Sequence, residues 1–246
     1  MSSLLFLNVL DVARSLGLNP LKTAPAQVCD WLIENYSRKP RGGFNYDPAA
    51  NCLHGLFSGA LTEAQAKLHC LTSGNPKGRS QNFSAISQIA PYALENPSTC
   101  YRIGFAAVAV GRVGAETVYV AIKAPLVRVV HSDVMVVMPG FRMSYRPAEP
   151  EIDVACSIVL ANFARDDFAD ADFEYLYAGP GLNGRREFRA IRGRDRHVYD
   201  RDQVDALLDV YVKGIALAAE AGMDLRKPNL AGFRVIDPYA EPHFPF

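Results

Sequence analysis

Along the first ninety-odd residues the apolar positions recur every three or four places, and after Pro97 they recur every second one. The first spacing lines one stripe of a helix and the second lines one face of a strand. In "MSSLLFLNVLDVARSLG", Leu4, Leu7, Leu10 or Val9, and Ala13 predict a helix turned toward a neighbour. In "TAPAQVCDWLIENYS", Pro25 stands in a first turn and is followed by Val28, Trp31, Leu32 and Ile33. "LTEAQAKLHCLTSG" sets Thr62 three places before Gln65, a reciprocal capping pattern, and stops at Gly74. Between these two, "RKPRGGFNYDPAANC" reads as an irregular loop. Phe83, Ile86, Ile89 or Ala90, and Leu94 predict a helix from Gln81 to Leu94 that Pro91 ends or kinks.

"YRIGFAAVAV", "ETVYVAIK", "PLVRVV" and "VMVVMPGFRM" are short and rich in Val, and "GRVGA", Pro125 and "HSD" separate them, which predicts an antiparallel meander. Pro147, Glu149 and Pro150 then open a helix. Its Ile152, Ala155, Cys156, Val159, Leu160 and Phe163 fall on one stripe that should lie on the sheet. "DFEYLYAG" and "REFRAIRG" read as two more strands joined by "PGLNG". Asp200 and Gln203 cap a last helix through Val204, Leu207, Leu208, Tyr211, Val212 and Ile215, which Gly222 ends. The tail holds too much Pro for regular structure, yet its Phe233, Val235, Ile236, Tyr239, Phe244 and Phe246 predict an extended arm that packs.

The expected fold is therefore α+β: N-terminal helices, an antiparallel or mixed sheet of about five or six strands crossed by one amphipathic helix, a closing helix and an extended arm. Residues 1–95 form a helical region able to stand as a subdomain, residues 96–222 the α+β core, and residues 223–246 the Pro- and aromatic-rich arm.

Composition adds limits. Of 246 residues, 49% are hydrophobic and 21% charged, enough to bury a core. Lys plus Arg and Asp plus Glu number 26 each, so any anion site must be local. The five cysteines are odd in number and contain no C-x-x-C, which fits a reducing cytoplasm better than a disulfide scaffold. The apolar start lacks a basic flank and soon meets Asp11 and Arg14, so neither a signal peptide nor a membrane span is expected.

Candidate chemistry is local. Arg186, Arg189, Arg192 and Arg194 crowd one hairpin, where arginine forks suit phosphate and Phe188 or Tyr199 could stack on bases. In an extended "REFRAIR", however, Arg186, Phe188, Ala190 and Arg192 share one face, while Glu187, Arg189 and Ile191 share the other. "GNPKGRSQN" offers Lys77 and Arg79 beside exposed amides but lacks the phosphate-loop spacing. Cys52 is the nucleophile candidate; His54 is near in sequence, yet residues two apart on a helix diverge by about 200°. Cys52, His54, His69 and Cys70 match no common zinc spacing, so no metal is assigned. Glu149, Glu151 and Asp153 suit a helix start, and Asp166, Asp167, Asp170 and Asp172 form an acidic turn without calcium-loop spacing.

From Gln81 to Tyr177 the element order of helix, strands, helix and strand is similar to the restriction-endonuclease-like core. That likeness is one of topology, not of family. It implies an acid on one central strand and an acid-x-Lys on the next to hold Mg²⁺, whereas the strands here offer Glu116 and Asp133, and Ala121 stands two places before Lys123. Such a copy would be catalytically degenerate.

These readings lead to a cytoplasmic, non-catalytic binding or regulatory module without a cofactor, meeting a protein partner or a second copy of itself. Nucleic-acid binding through the arginine hairpin, on a degenerate nuclease-like fold, is the first alternative. A Cys52-dependent hydrolase or transferase is the second.

Overall fold

The computed structural model describes residues 3–37, 44–164 and 168–237. The chain is α+β, and its strands divide between two mixed sheets rather than forming one. The first sheet orders its strands β1 (Phe6–Asn8), β4 (Glu116–Ile122), β3 (Phe105–Val113) and β9 (Phe233–Ile236). The second orders them β2 (Thr99–Arg102), β5 (Leu126–Val130), β6 (Asp133–Gly140), β7 (Asp172–Tyr177) and β8 (Arg189–Arg192).

Two chain breaks cause the division. Gly104, at a φ of 71°, separates β2 from β3, and Pro125 separates β4 from β5. The antiparallel β3–β4 hairpin swings out between them, and β2 pairs directly with β5, Thr99 opposite Val129. A period of two fixes which face a residue takes; it does not fix which strand it meets.

The second sheet alternates cleanly. Leu126, Val137 and Leu176 face a core made with helices α3 (Asp47–Phe57), α4 (Glu63–Thr72) and α5 (Arg79–Glu95). Val127, Val136, Met138, Phe173, Tyr175 and Tyr177 face the other core, which α1 (Val9–Ser15), α2 (Pro25–Tyr36), α6 (Glu149–Phe163) and α7 (Arg201–Glu220) share with the first sheet. The expected meander ends at β6, because α6 crosses over and returns the chain as β7, parallel to β6 with Met135 opposite Asp172.

Several elements depart from the sequence reading. The leucines near the N-terminus serve a short strand first: Phe6–Asn8 pairs in parallel with Tyr119–Ala121, and the Asn8 side chain then caps α1 by accepting from the Leu10 amide at 3.0 Å. Part of the supposed loop is helix, since α3 opens at Asp47 with Pro48 in its first turn, where proline loses no hydrogen bond. Helix α5 runs through Pro91, whose ring lies on the exposed side. Helix α6 is buried almost all round, from Glu151 to Val159, because α1 and α7 cover the side away from the sheet. Strand β8 begins only at Arg189. In the tail, Phe233–Ile236 adds a parallel strand to β3, and the Phe233 ring meets Phe6 at 4.9 Å and Phe105 at 5.7 Å. Tyr239, Phe244 and Phe246 lie outside the described residues.

The capping boxes at Thr62–Gln65 and Asp200–Gln203 both form. Among the described residues no helix is long and apolar enough to cross a membrane.

Candidate functional site

The arginine hairpin splits as strand parity requires. On one face, Arg186 donates to Gln81 Oε1 at 3.1 Å, to Ser84 Oγ at 3.2 Å, and to the carbonyls of Phe141 and Ala178. Arg192, on the same face, lies 3.2 Å from Glu174. Arg189 faces the other way, paired with Glu187 at 3.4 Å over the Tyr177 ring. Arg194 lies on the 3₁₀ turn Gly193–Asp195 and approaches Asp133 at 3.7 Å. The four thus serve four different contacts and form no common surface.

Lys77 is exposed in the 3₁₀ turn Pro76–Gly78, its amide capped by Asn75 Oδ1 at 3.0 Å. Arg79 turns back to the Thr72 carbonyl at 3.1 Å, tying off the end of α4. Cys52 is 1% exposed, and its thiol donates to the Pro48 carbonyl at 3.3 Å. Its titratable neighbour is Cys70, not an imidazole: the hydrogen bond from Cys70 lowers Cys52, and the same contact, with burial, raises Cys70. His69 bonds Ser73 at 3.2 Å. Among the described residues no group of three or more His, Cys, Asp and Glu side chains could hold a metal ion. Of the acidic turn, Asp166 and Asp167 lie outside the described residues, and Asp172 accepts from the amides of Phe173 and Arg194. On the central strands, β5 carries Arg128, and Asp133 is the exposed first residue of β6.

Arg128 is fully buried and forms a two-pronged pair with Glu174, Nε to Oε2 at 2.6 Å and Nη2 to Oε1 at 2.7 Å. Tyr92 of α5 donates to the same carboxylate at 2.7 Å, and Ser98 Oγ accepts from Arg128 at 3.1 Å. The sheet is thereby bound to the helical layer through a satisfied polar network.

The fold also holds a cavity of about 590 Å³. It opens where the C-terminal ends of β6 and β7 meet the end of β4, the first turn of α3 and the connection Phe141 to Pro147. Tyr46, Phe105, Phe141, Tyr145, Tyr175 and Tyr177 give it an aromatic wall. Tyr46 packs on Phe141 with ring centres 5.5 Å apart, and the Arg186 guanidinium stands 5.8 Å from Tyr46. By holding the carbonyls of Phe141 and Ala178, Arg186 fixes the two strand ends that frame the opening.

Two cations reach the wall, each held by one carboxylate. Lys123 Nζ is 3.1 Å from Asp47 Oδ1 and 5.1 Å from the centre of the Phe105 ring, while Asn45 steadies Asp47 at 2.6 Å. Arg142 spends one nitrogen, Nη1, on both oxygens of Asp11, at 2.7 and 3.0 Å. Burial opposes the charge on Arg142, but Asp11 outweighs it and holds the guanidinium protonated. Asp11 is 9% exposed and Arg142 52%, so the acid anchors from behind and the fork stays open.

Tyr175 is 1% exposed and lines the cavity with its hydroxyl against Gly140. That hydroxyl forms no hydrogen bond with any described residue and is reached from the cavity, where water or a ligand can meet it. Burial, and then the neighbouring Tyr177, push its pKa well above the usual tyrosine value, so it remains a donor. Lys123 entered the sequence reading only as a failed motif, and Arg142 and Tyr175 only inside strands. Their convergence joins strand ends as much as 52 residues apart in the sequence.

No protein-family model matches this chain, and no curated protein matches it in sequence.

Proposed function

We propose that the protein is a non-catalytic binding module whose ligand is a small molecule held in the cavity at the ends of β6 and β7. The observation that carries this reading is an aromatic cavity of about 590 Å³ onto which Lys123, Arg142 and the Tyr175 hydroxyl converge, the last without a hydrogen-bond partner among the described residues. Concave sites of this size, mostly apolar with a few convergent polar groups, are the usual form of a ligand pocket. The place supports the reading too, since ligands of α/β sheets gather beyond the carboxyl ends of parallel strands. The charged groups of the wall stand as cation–carboxylate pairs that fix positions, not as a base beside a nucleophile. A nucleic-acid surface on the hairpin is less well supported, because its arginines are engaged within the protein.

The test is titration with N-phenyl-1-naphthylamine, a neutral dye that brightens in dry surroundings. One saturable site per chain is expected. Ala50→Trp, which projects an indole from α3 into the cavity, should weaken binding at least about tenfold while circular dichroism and cooperative unfolding persist. Equal affinity in the two proteins, or no binding by the parent of either this dye or the naphthyl compounds named below, overturns the reading.

A further inference from the structure

The hydrogen-bond inventory of the cavity is lopsided. Several of its acceptors already hold a partner: Asp47 receives Lys123 on one oxygen and Asn45 on the other, Gln81 Oε1 receives Arg186, and Asn8 Oδ1 receives the Leu10 amide. The Phe141 carbonyl receives Arg186, and the Gly140 carbonyl receives the Ala178 amide. Its donors are mostly unspent. Arg142 keeps Nε and Nη2, Lys123 keeps two of its three ammonium protons, Tyr175 keeps its hydroxyl, and Gln81 and Asn8 keep their amide protons. A wall of this kind leaves water or a ligand to supply the acceptors.

From this inventory we infer that the ligand is a planar aromatic acid. Its ring lies among the tyrosine and phenylalanine side chains, and its anionic group accepts from Arg142, Tyr175 and Lys123. The guanidinium is suited to this, because Asp11 holds it by one nitrogen only and leaves the other edge free for a two-pronged contact with a carboxylate or phosphate. Tyr175 favours an acceptor in the same way: a ligand that covers its hydroxyl without offering one takes it from water and leaves it unpaired. The aromatic preference follows from the wall, where Phe105 already stands under the Lys123 ammonium and Tyr46 packs on Phe141. This inference rests on the cavity reading above and narrows it to a charge type and a shape.

Three compounds of one ring size separate the possibilities by isothermal titration: 2-naphthoate, 2-naphthyl phosphate and the neutral 2-naphthamide. At least one anion should bind about tenfold or more tighter than the amide, and the tighter of the two identifies a carboxylate or a phosphate ligand. Arg142→Gln should remove most of that preference while leaving the amide affinity nearly unchanged, and Tyr175→Phe should reduce it by a smaller factor. Should Arg142→Gln fail to fold because Asp11 is stranded, Lys123→Gln tests the same preference at a half-exposed position. Equal binding of anions and amide, or a preference that survives both the arginine and the lysine replacements, overturns the inference. Dye binding without anion binding overturns it alone, whereas failure of the dye and all three naphthyl compounds overturns the cavity reading with it.

Discussion

The phenol of Tyr175 lies so close to Gly140 that a Cβ on residue 140 would overlap the tyrosine hydroxyl. Gly140 ends β6 opposite Tyr177, and Tyr175 reaches across from the parallel strand to close on it. The glycine is needed here for close approach, not for an unusual backbone angle. Gly140→Ala must therefore displace Tyr175 or bend the strand end, at a cost of about 1–3 kcal/mol. Urea denaturation measures that loss, and dye titration should show weakened binding in the same variant. Parent-like stability and dye affinity would mean that Tyr175 is free to move and does not set the shape of the cavity.

The Arg128–Glu174 pair makes a sharper demand. With both side chains fully buried, removing one leaves the other charged and without its main partner. Arg128→Met should cost about 3–5 kcal/mol, and the added change Glu174→Leu should recover much of it, since an apolar pair avoids the stranded charge. Recovery will be incomplete, because Tyr92, Ser98 and Arg192 also lose a partner. Additive losses in denaturant unfolding would show that the pair is not energetically coupled.

Arginines on the two faces of β8 should respond differently to charge reversal. Arg189 is 42% exposed and paired only with Glu187, so Arg189→Glu is expected to change stability by no more than about 0.5 kcal/mol. Arg192 is 21% exposed and adjoins the buried Glu174, so Arg192→Glu sets like charges together and should cost at least about 2 kcal/mol. Anisotropy of labelled DNA and RNA should stay flat at low salt with the parent protein. Salt-sensitive binding abolished by Arg189→Glu, a variant that leaves the fold intact, would restore the hairpin as a nucleic-acid surface.

What could be read in the sequence was set by periodicity and by caps. The stripes of α2, α5 and α7, the boxes at Thr62 and Asp200, and the alternation of β5, β6 and β7 are local patterns, and local patterns survive folding. Partners across space were not legible. Nothing local says that β3 and β4 leave the sheet to which β2 and β5 belong, or that Phe6 and Leu7 serve a strand before Asn8 starts a helix. The same applies to the cavity. The arginines attracted notice because they cluster in sequence, yet the groups that converge on the cavity, Lys123, Arg142 and Tyr175, come from three separate strand ends. The nearest signal was strand parity, which set Arg192 and Arg189 on opposite faces of β8; Arg186, which holds the strand ends at the opening, lies before that strand.

Glu151 links helix α6 to the mouth of the cavity through pH. Burial raises its pKa above the ordinary 4.5, against the opposing pull of the Ala148 amide and Arg14, and its carboxylate accepts from the Ala148 amide at 2.7 Å and from the hydroxyl of Tyr145. An acid whose folded pKa exceeds its unfolded one contributes stability in full below the unfolded value and loses it as pH rises through the folded value. Glu151→Gln keeps the acceptor and removes the titration. The stability of the parent relative to this variant should therefore be greatest below pH 4.5 and should fall as pH rises through the range above it. Urea unfolding of both proteins across that range measures the difference, in which other titrating groups largely cancel. A gap that widens with pH would mean that the ionised form is the one the fold favours, and that the Ala148 amide outweighs burial.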